Sequence, residues 1–274
     1  MPTIRTRDGV DLYVKDWGAG RPVVLIHGWP LNADSWEDQA LALAEAGHRV
    51  IAYDRRGFGR SGQPWTGYDY DTLSDDLAAV LEATGARDAA LFGFSMGGGE
   101  VARYMSRHGG KGVRAAGLIA SVVPYLFKDD TNPDGFDADT IEEYMTAPIR
   151  KDRPTFFAQM ARRFYGVGII TSPVSDEVLR NFERMAAQAS IKAILDCIQA
   201  FAKTDFRPDL PSFTVPTLIV HGTSDETVPI ELSGRAAARG IPGATLLEYD
   251  GEPHGLTVTA KDRLTADMLA FLGG

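Results

Sequence analysis

Apolar positions in this chain follow two alternating rhythms. Short unbroken runs at 22–26, 49–53 and 89–92 read as strands buried on both faces. Between them, apolar residues recur at helical spacing over 35–46 and 72–84, the second opened by Thr72 with Asp75 three residues on, which resembles a capping box. Two further strands, 3–7 and 11–17, open the chain and are joined at Asp8-Gly9, a common hairpin turn. A strand at 115–122 follows the run at 89–92. Strand and helix alternating in this way predict a mostly parallel sheet covered by helices on both faces.

The alternation stops at Pro124 and resumes after Val215-Pro216 with a strand at 217–220, a helix at 231–239, a strand at 245–249 and a helix at 259–272. In the gap, 128–139 reads as loop. Val178, Phe182, Met185 and Ala189 form one helical stripe, and Ile191, Ile194, Leu195, Ile198 and Phe201 another. The expected organisation is therefore an α/β core, 1–123 and 211–274, interrupted by a helical insertion at 124–210. Such an insertion serves as a cap over a site or as a packing and oligomer-forming element.

Composition narrows the setting. The 274 residues are 44% apolar, enough for a full-sized core, and carry a net charge of −9 with no long run of either sign. Nucleic acid and anionic membrane are thus disfavoured as partners. Cys197 is the single cysteine, so no internal disulfide can form. No secretory h-region, membrane-length apolar run or metal-spaced Cys/His cluster is visible, and the expected location is the cytoplasm.

The chemistry concentrates at Gly93-Phe94-Ser95-Met96-Gly97, a Gly-x-Ser-x-Gly pattern between a predicted strand and a predicted helix. In that context it is a nucleophile elbow, in which a turn too tight for flanking side chains lifts one hydroxyl above the sheet at a helix N-terminus. A serine nucleophile needs a positioned base, almost always histidine, held by a carboxylate. His254 follows the last strand, on the edge where ligands of open α/β sheets bind. His48 and His108 fall at the opposite edge, and His27 and His221, each ending a strand before a glycine, read as partners of loop backbone. The order serine, acid, histidine selects Asp225 after the 217–220 strand, with Glu226 and the earlier Asp54 as rivals. Oxyanion donors are expected from the backbone N–H of Met96 and, in His27-Gly28-Trp29-Pro30, of Trp29, whose backbone Pro30 restricts. The sequence leaves the isomer of the Trp29–Pro30 bond open.

Several segments together resemble the bacterial cofactor-free haloperoxidase/arylesterase family of the α/β-hydrolase superfamily. They are Lys15-Asp16-Trp17-Gly18, His27 to Trp36, Asp54-Arg55-Arg56-Gly57-Phe58-Gly59-Arg60-Ser61, Gln63-Pro64-Trp65, Phe92 to Tyr104, Ala202-Lys203-Thr204-Asp205-Phe206, His221-Gly222, Val228-Pro229 and Pro253-His254-Gly255-Leu256. The likeness spans about 3–272 and weakens over 128–191. It implies an α/β-hydrolase fold with an eight-stranded sheet and a helical cap. It also implies a serine carboxylesterase or arylesterase, free of metal and heme, acting on small short-acyl esters through an acyl-enzyme on Ser95. Hydrogen peroxide replacing water would yield a peracid that oxidises halide away from the protein. Pro30 is associated in the family with that perhydrolase route, and the family implies a homo-oligomer. The chain departs from the family at Thr227, where a bulkier apolar residue is usual. With Pro30, Tyr125, Leu126, Tyr144, Phe157, Phe164 and Ile230 as further candidates, it points to a short apolar acyl pocket. A C–C bond or lactone hydrolase on the same triad, and a low-turnover ligand receptor, stay open as alternatives. Epoxide hydrolase and dehalogenase chemistry is disfavoured, because those relatives place a carboxylate where Ser95 stands.

Overall fold

The computed structural model describes residues 3–168 and 170–273. Its eight strands are β1 (Thr3–Arg5), β2 (Asp11–Gly18), β3 (Pro22–Ile26), β4 (Arg49–Tyr53), β5 (Ala89–Phe94), β6 (Val113–Ile119), β7 (Thr217–Gly222) and β8 (Thr245–Tyr249). They form one sheet in the order β1-β2-β4-β3-β5-β6-β7-β8. β2 runs antiparallel to both β1 and β4, and all other pairs are parallel. The unbroken apolar runs are the central strands: every residue of β5 and β7 is buried. β3 is flanked by β4 on one side and β5 on the other, so the chain changes winding direction there. A crevice opens at such a point beyond the carboxyl ends of the strands.

Alternation along β5 sets the two layers. Phe92 and Phe94 face one way, where Phe92 meets Phe271 edge-on and Phe94 meets Trp36. That layer is α1 (Glu37–Glu45), entered through a 3₁₀ turn at Ala33–Trp36, together with the C-terminal helix. The opposite layer holds α2 (Tyr70–Thr84) and α3 (Met96–Arg107). The N-cap of α2 is Asp69, which accepts the Thr72 N–H, so the predicted Thr72/Asp75 capping box is displaced by one turn. Asp75 instead takes two hydrogen bonds from Arg107.

Between β6 and β7 lie α4 (Ala138–Ile141), a π turn (Glu142–Thr146), α5 (Ala147–Phe164), α6 (Asp176–Gln188) and α7 (Ile191–Lys203). The Phe206 N–H donates to the Pro124 carbonyl at 2.8 Å, so the segment leaves and re-enters the core at one backbone bond. Helices α6 and α7 carry the two predicted stripes, though Leu179 rather than Val178 is buried and Ile191 is exposed. Helix α5, absent from the sequence reading, breaks at Asp152 (φ −157°, ψ 84°), whose carboxylate caps the restart by accepting the Thr155 N–H. After β7 come α8 (Gly234–Gly240), α9 (Leu256–Thr259) and α10 (Lys261–Gly273); α10 takes the place of the helix expected at 259–272, and the short α9 precedes it. Among the described residues, no helix is long and apolar enough to cross a membrane.

A charged pair lies wholly inside this apolar frame. Arg55, just past β4, pairs with Glu100 of α3, and neither side chain is exposed. Tyr53 also donates to Glu100, and Arg55 donates to the His27 carbonyl at 2.6 Å. The pair thus joins the end of β4, the loop after β3 and the helix behind Ser95. Removing one partner of such a pair leaves a buried charge uncompensated, at a cost of about 3–5 kcal/mol. Glu100→Ala is therefore expected to lower the free energy of urea unfolding by about 3 kcal/mol or more. A loss below about 1 kcal/mol would show that solvent or a neighbour replaces the carboxylate.

Candidate active site

Ser95 joins β5 to α3 at φ 53°, ψ −118°, a positive φ that a side chain resists. The turn closes because glycines flank it. A Cβ on Gly93 would come within 2.4 Å of the Gly97 carbonyl oxygen, and one on Gly97 within 2.5 Å of that of Ile26. The Ser95 N–H donates to the Ile119 carbonyl at 2.8 Å, and Tyr70 Oη donates to the Met96 carbonyl at 3.0 Å. The conformation is therefore held from β6 and from α2.

The three residues singled out by order meet in space. Ser95 Oγ donates to His254 Nε2 at 2.9 Å, and His254 Nδ1 donates to Asp225 Oδ2 at 2.6 Å. All three are buried. Asp225 Oδ1 accepts the N–H groups of Thr227 (2.9 Å) and Val228 (2.8 Å). Burial alone would raise the Asp225 carboxyl, but the His254 charge and hydrogen bonds from His221 and His254 outweigh it and hold the group well below the usual carboxylate range. The His254 ring lies between Phe94 (centroids 5.2 Å apart) and Phe164 (4.9 Å), and the Gly255 N–H donates to the Phe164 carbonyl at 2.8 Å.

The rivals stand elsewhere. Asp54 accepts the N–H groups of Ala33 and Arg60 and pairs with the Arg60 guanidinium. Glu226 is exposed and lines the cavity mouth. His27 is buried, accepts the Arg55 N–H on Nε2 and donates from Nδ1 to the Gly28 carbonyl at 2.8 Å. Burial first, then the Arg55 charge, push His27 well below the usual imidazole range. His108 bonds Asp75 at the far end of α3.

The loop carrying Trp29 lies directly against the elbow. A Cβ on Gly28 would sit 3.0 Å from that of Ser95. Trp29–Pro30 is a cis bond, as is Val123–Pro124. The Trp29 indole donates to the Ile194 carbonyl of α7 at 3.2 Å and packs on Phe157 and Phe201. Met96 is the first residue of α3, where backbone N–H groups have no partner within the helix.

Trp29, Ser95 and His254 open on a cavity of about 390 Å³. Of the predicted wall residues, Leu126, Tyr144 and Thr227 line it. The other five do not. Tyr125 turns its hydroxyl to Asp129 and lies under the Arg207 guanidinium. Phe157 backs Trp29, and Phe164 clamps His254. Pro30 and Ile230 are buried and take no part in the cavity lining. Most of the apolar wall was not foreseen: Phe136, Ile141, Met145, Phe156, Met160 and Phe201 supply it. The i, i+4 pairs Ile141/Met145 and Phe156/Met160 were the available signal.

A family model described as the alpha/beta hydrolase fold matches residues 21–259. The chain is 43% identical to a non-heme chloroperoxidase of Kitasatospora aureofaciens, covering 99% of each. It is 41% identical to a bifunctional esterase/perhydrolase of Acinetobacter calcoaceticus, again over 99% of each. The crystal structure of a bromoperoxidase from Bacillus anthracis is similar at a TM-score of 0.95 and 45% identity, over 100% of this chain and 99% of that one.

Backbone strain of the Ser95 kind is worth about 1–3 kcal/mol. Ser95→Gly is expected to unfold at higher urea than Ser95→Ala, by about 1 kcal/mol in stability, since glycine relaxes the positive φ and alanine does not. Equal stabilities of the two variants would show that the conformation stores no strain.

Proposed function

Because the chain belongs to the α/β hydrolase fold family, and within it to the group of non-heme haloperoxidases and esterases, we propose that it is a serine carboxylesterase or arylesterase for small esters that also transfers acyl groups to hydrogen peroxide. The observation that carries the site assignment is the unbroken hydrogen-bond chain from Ser95 through His254 to Asp225 at the floor of an apolar cavity.

In this reading Ser95 Oγ attacks the ester carbonyl carbon as His254 Nε2 takes the hydroxyl proton. The carbonyl oxygen becomes an oxyanion facing the N–H groups of Trp29 and Met96. The tetrahedral centre collapses, the bond to the alcohol oxygen breaks, and His254 returns the proton to the leaving alcohol. Water then attacks the acyl-enzyme, giving its proton to His254, and the carboxylic acid leaves as Ser95 is reprotonated. Hydrogen peroxide in place of water gives a peracid by the same proton transfers. Asp225 stays ionised, orients His254 with its proton on Nδ1, and stabilises the imidazolium. Tyr144, Met145 and Met160, on the cap side of the cavity, would receive the apolar part of the ester.

Hydrolysis of p-nitrophenyl acetate is expected to run for many turnovers in the wild type and to fall at least about 10³-fold in Ser95→Ala. With acetate, hydrogen peroxide and bromide, the wild type should brominate an organic acceptor and Ser95→Ala should not. Hydrolysis unchanged in Ser95→Ala would remove the nucleophile assignment, and hydrolysis without bromination would remove the peroxide branch.

A second expectation concerns pH. Because the Asp225 carboxyl is depressed, its stabilising ionisation is complete above its unfolded value and is lost only as pH falls toward the folded one. Through the ordinary assay range it holds no proton, so one group alone gates the base. On the acid side, log kcat/KM should rise with unit slope as pH increases. A slope of two would mean that the acid and the base titrate together.

A further inference from the structure

We propose that His221 is a positioning residue for the acid of the triad, its ring N–H holding the Asp225 loop in the conformation that turns Oδ2 toward His254. This rests on the assignment of Ser95, His254 and Asp225 proposed above.

His221 lies near the end of β7 with no exposed surface. Three oxygens surround its Nε2: the Val228 carbonyl at 2.9 Å, Asp225 Oδ2 at 3.2 Å and Ser233 Oγ at 3.4 Å. The Ser233 hydroxyl proton is already directed at the Pro229 carbonyl, 2.7 Å away, so toward His221 this oxygen can only accept. Acceptors on every side require the proton on Nε2. Nδ1 has no partner and is buried against Gly234, where a Cβ would come within 3.0 Å of it. A proton on that side would find no acceptor. The ring is thereby confined to donating from Nε2.

The Nε2–H makes its direct hydrogen bond to the Val228 carbonyl, which closes the turn from Asp225 to Val228. In the closed turn the N–H groups of Thr227 and Val228 converge on Oδ1. Oδ2 is left for His254, with the positive edge of the His221 ring beside it. Two histidines thus share one carboxylate, one as base and one as strut. Glu248, the register partner of His221 on β8, is held by Arg235, which also pairs with Glu231. Asp225 is the carboxylate in contact with the ring.

The test compares His221→Leu, which keeps bulk and removes the donor, with His221→Gln, whose amide nitrogen can take the place of Nε2. In ester hydrolysis His221→Leu should lower kcat about tenfold with little change in KM. It should also move the acid limb of kcat/KM upward by about half a pH unit, because a carboxylate no longer beside the positive edge of the His221 ring binds the imidazolium more tightly. His221→Gln should restore both. A folded Leu variant with wild-type kcat and limb overturns the proposal. So does a fall in kcat with the limb unmoved and no recovery in Gln, which is the mark of packing alone. If thermal melting shows the Leu variant unfolded, the ¹⁵N spectrum of wild-type histidines decides: a proton on Nε2 of His221 supports the role, and a proton on Nδ1 overturns it. Activity that survives Ser95→Ala would instead retire the triad assignment itself, a separate outcome.

Discussion

The constraint on which this structure turns is that Ser95 must occupy a backbone conformation its own side chain disfavours. Nothing local to five residues could hold it there. The conformation is kept by β5 at the centre of a sheet buried on both faces, by two glycine approaches that tolerate no Cβ, and by hydrogen bonds from Ser95 to β6 and from Tyr70 to Met96. The Arg55–Glu100 pair extends the same logic to the neighbouring loop, since it joins the helix behind the serine to the His27 carbonyl beside the expected oxyanion donor. Polar groups are costly in such a place, and here Arg55 and Glu100 offset each other while tying down a loop of the candidate site.

How far the sequence could be read follows from which interactions are local. The strands were legible because burial on both faces writes itself as an unbroken apolar run. β3, β4 and β8 fall on their predicted bounds. Ser95, Asp225 and His254 were legible because each stands just past a strand on the same edge, in a fixed order. The capping signal at Thr72/Asp75 misled because the segment is rich in aspartates three residues from a hydroxyl or amide, and Asp69 met the helix start first. Helix α5 was hidden by its own composition. Pro148 stands in its first turn, Pro154 follows its break at Asp152, and its basic residues obscure the apolar stripe.

The pocket was the least legible part, for a geometric reason. Adjacent residues on a helix point about 100° apart. Phe156 therefore faces the cavity while Phe157 turns to Trp29, and no property of either phenylalanine distinguishes them before the helix is docked. The same holds for Phe164, which ended against the histidine instead of in the wall. His221 illustrates the converse. Reading it as a partner of loop backbone was correct as far as it went, because Nε2 does reach the Val228 carbonyl. Its closeness to Asp225 depends on a turn whose closure only the folded chain reveals.

The junction between α5 and the histidine loop bears on how such a chain diversifies. Phe164 grips the His254 ring and accepts the Gly255 N–H, while Ile194 of α7 takes the Trp29 indole and Ser190 donates to the Gly57 carbonyl. These segments lie in the insertion by sequence but belong to the frame of the candidate site by contact. Part of the cavity wall, at Phe136, Ile141, Tyr144 and Met145, comes earlier, before the break at Asp152, and the rest, at Phe156, Met160 and Phe201, comes after it. Recombination that exchanges the insertion wholesale would carry away the clamp on His254, whereas a crossover placed at Asp152 would trade the earlier part of the cavity wall and leave that clamp in place, together with the walls at Phe156, Met160 and Phe201. The insertion is thus two modules with different freedom to vary, and the boundary between them is one broken turn of helix.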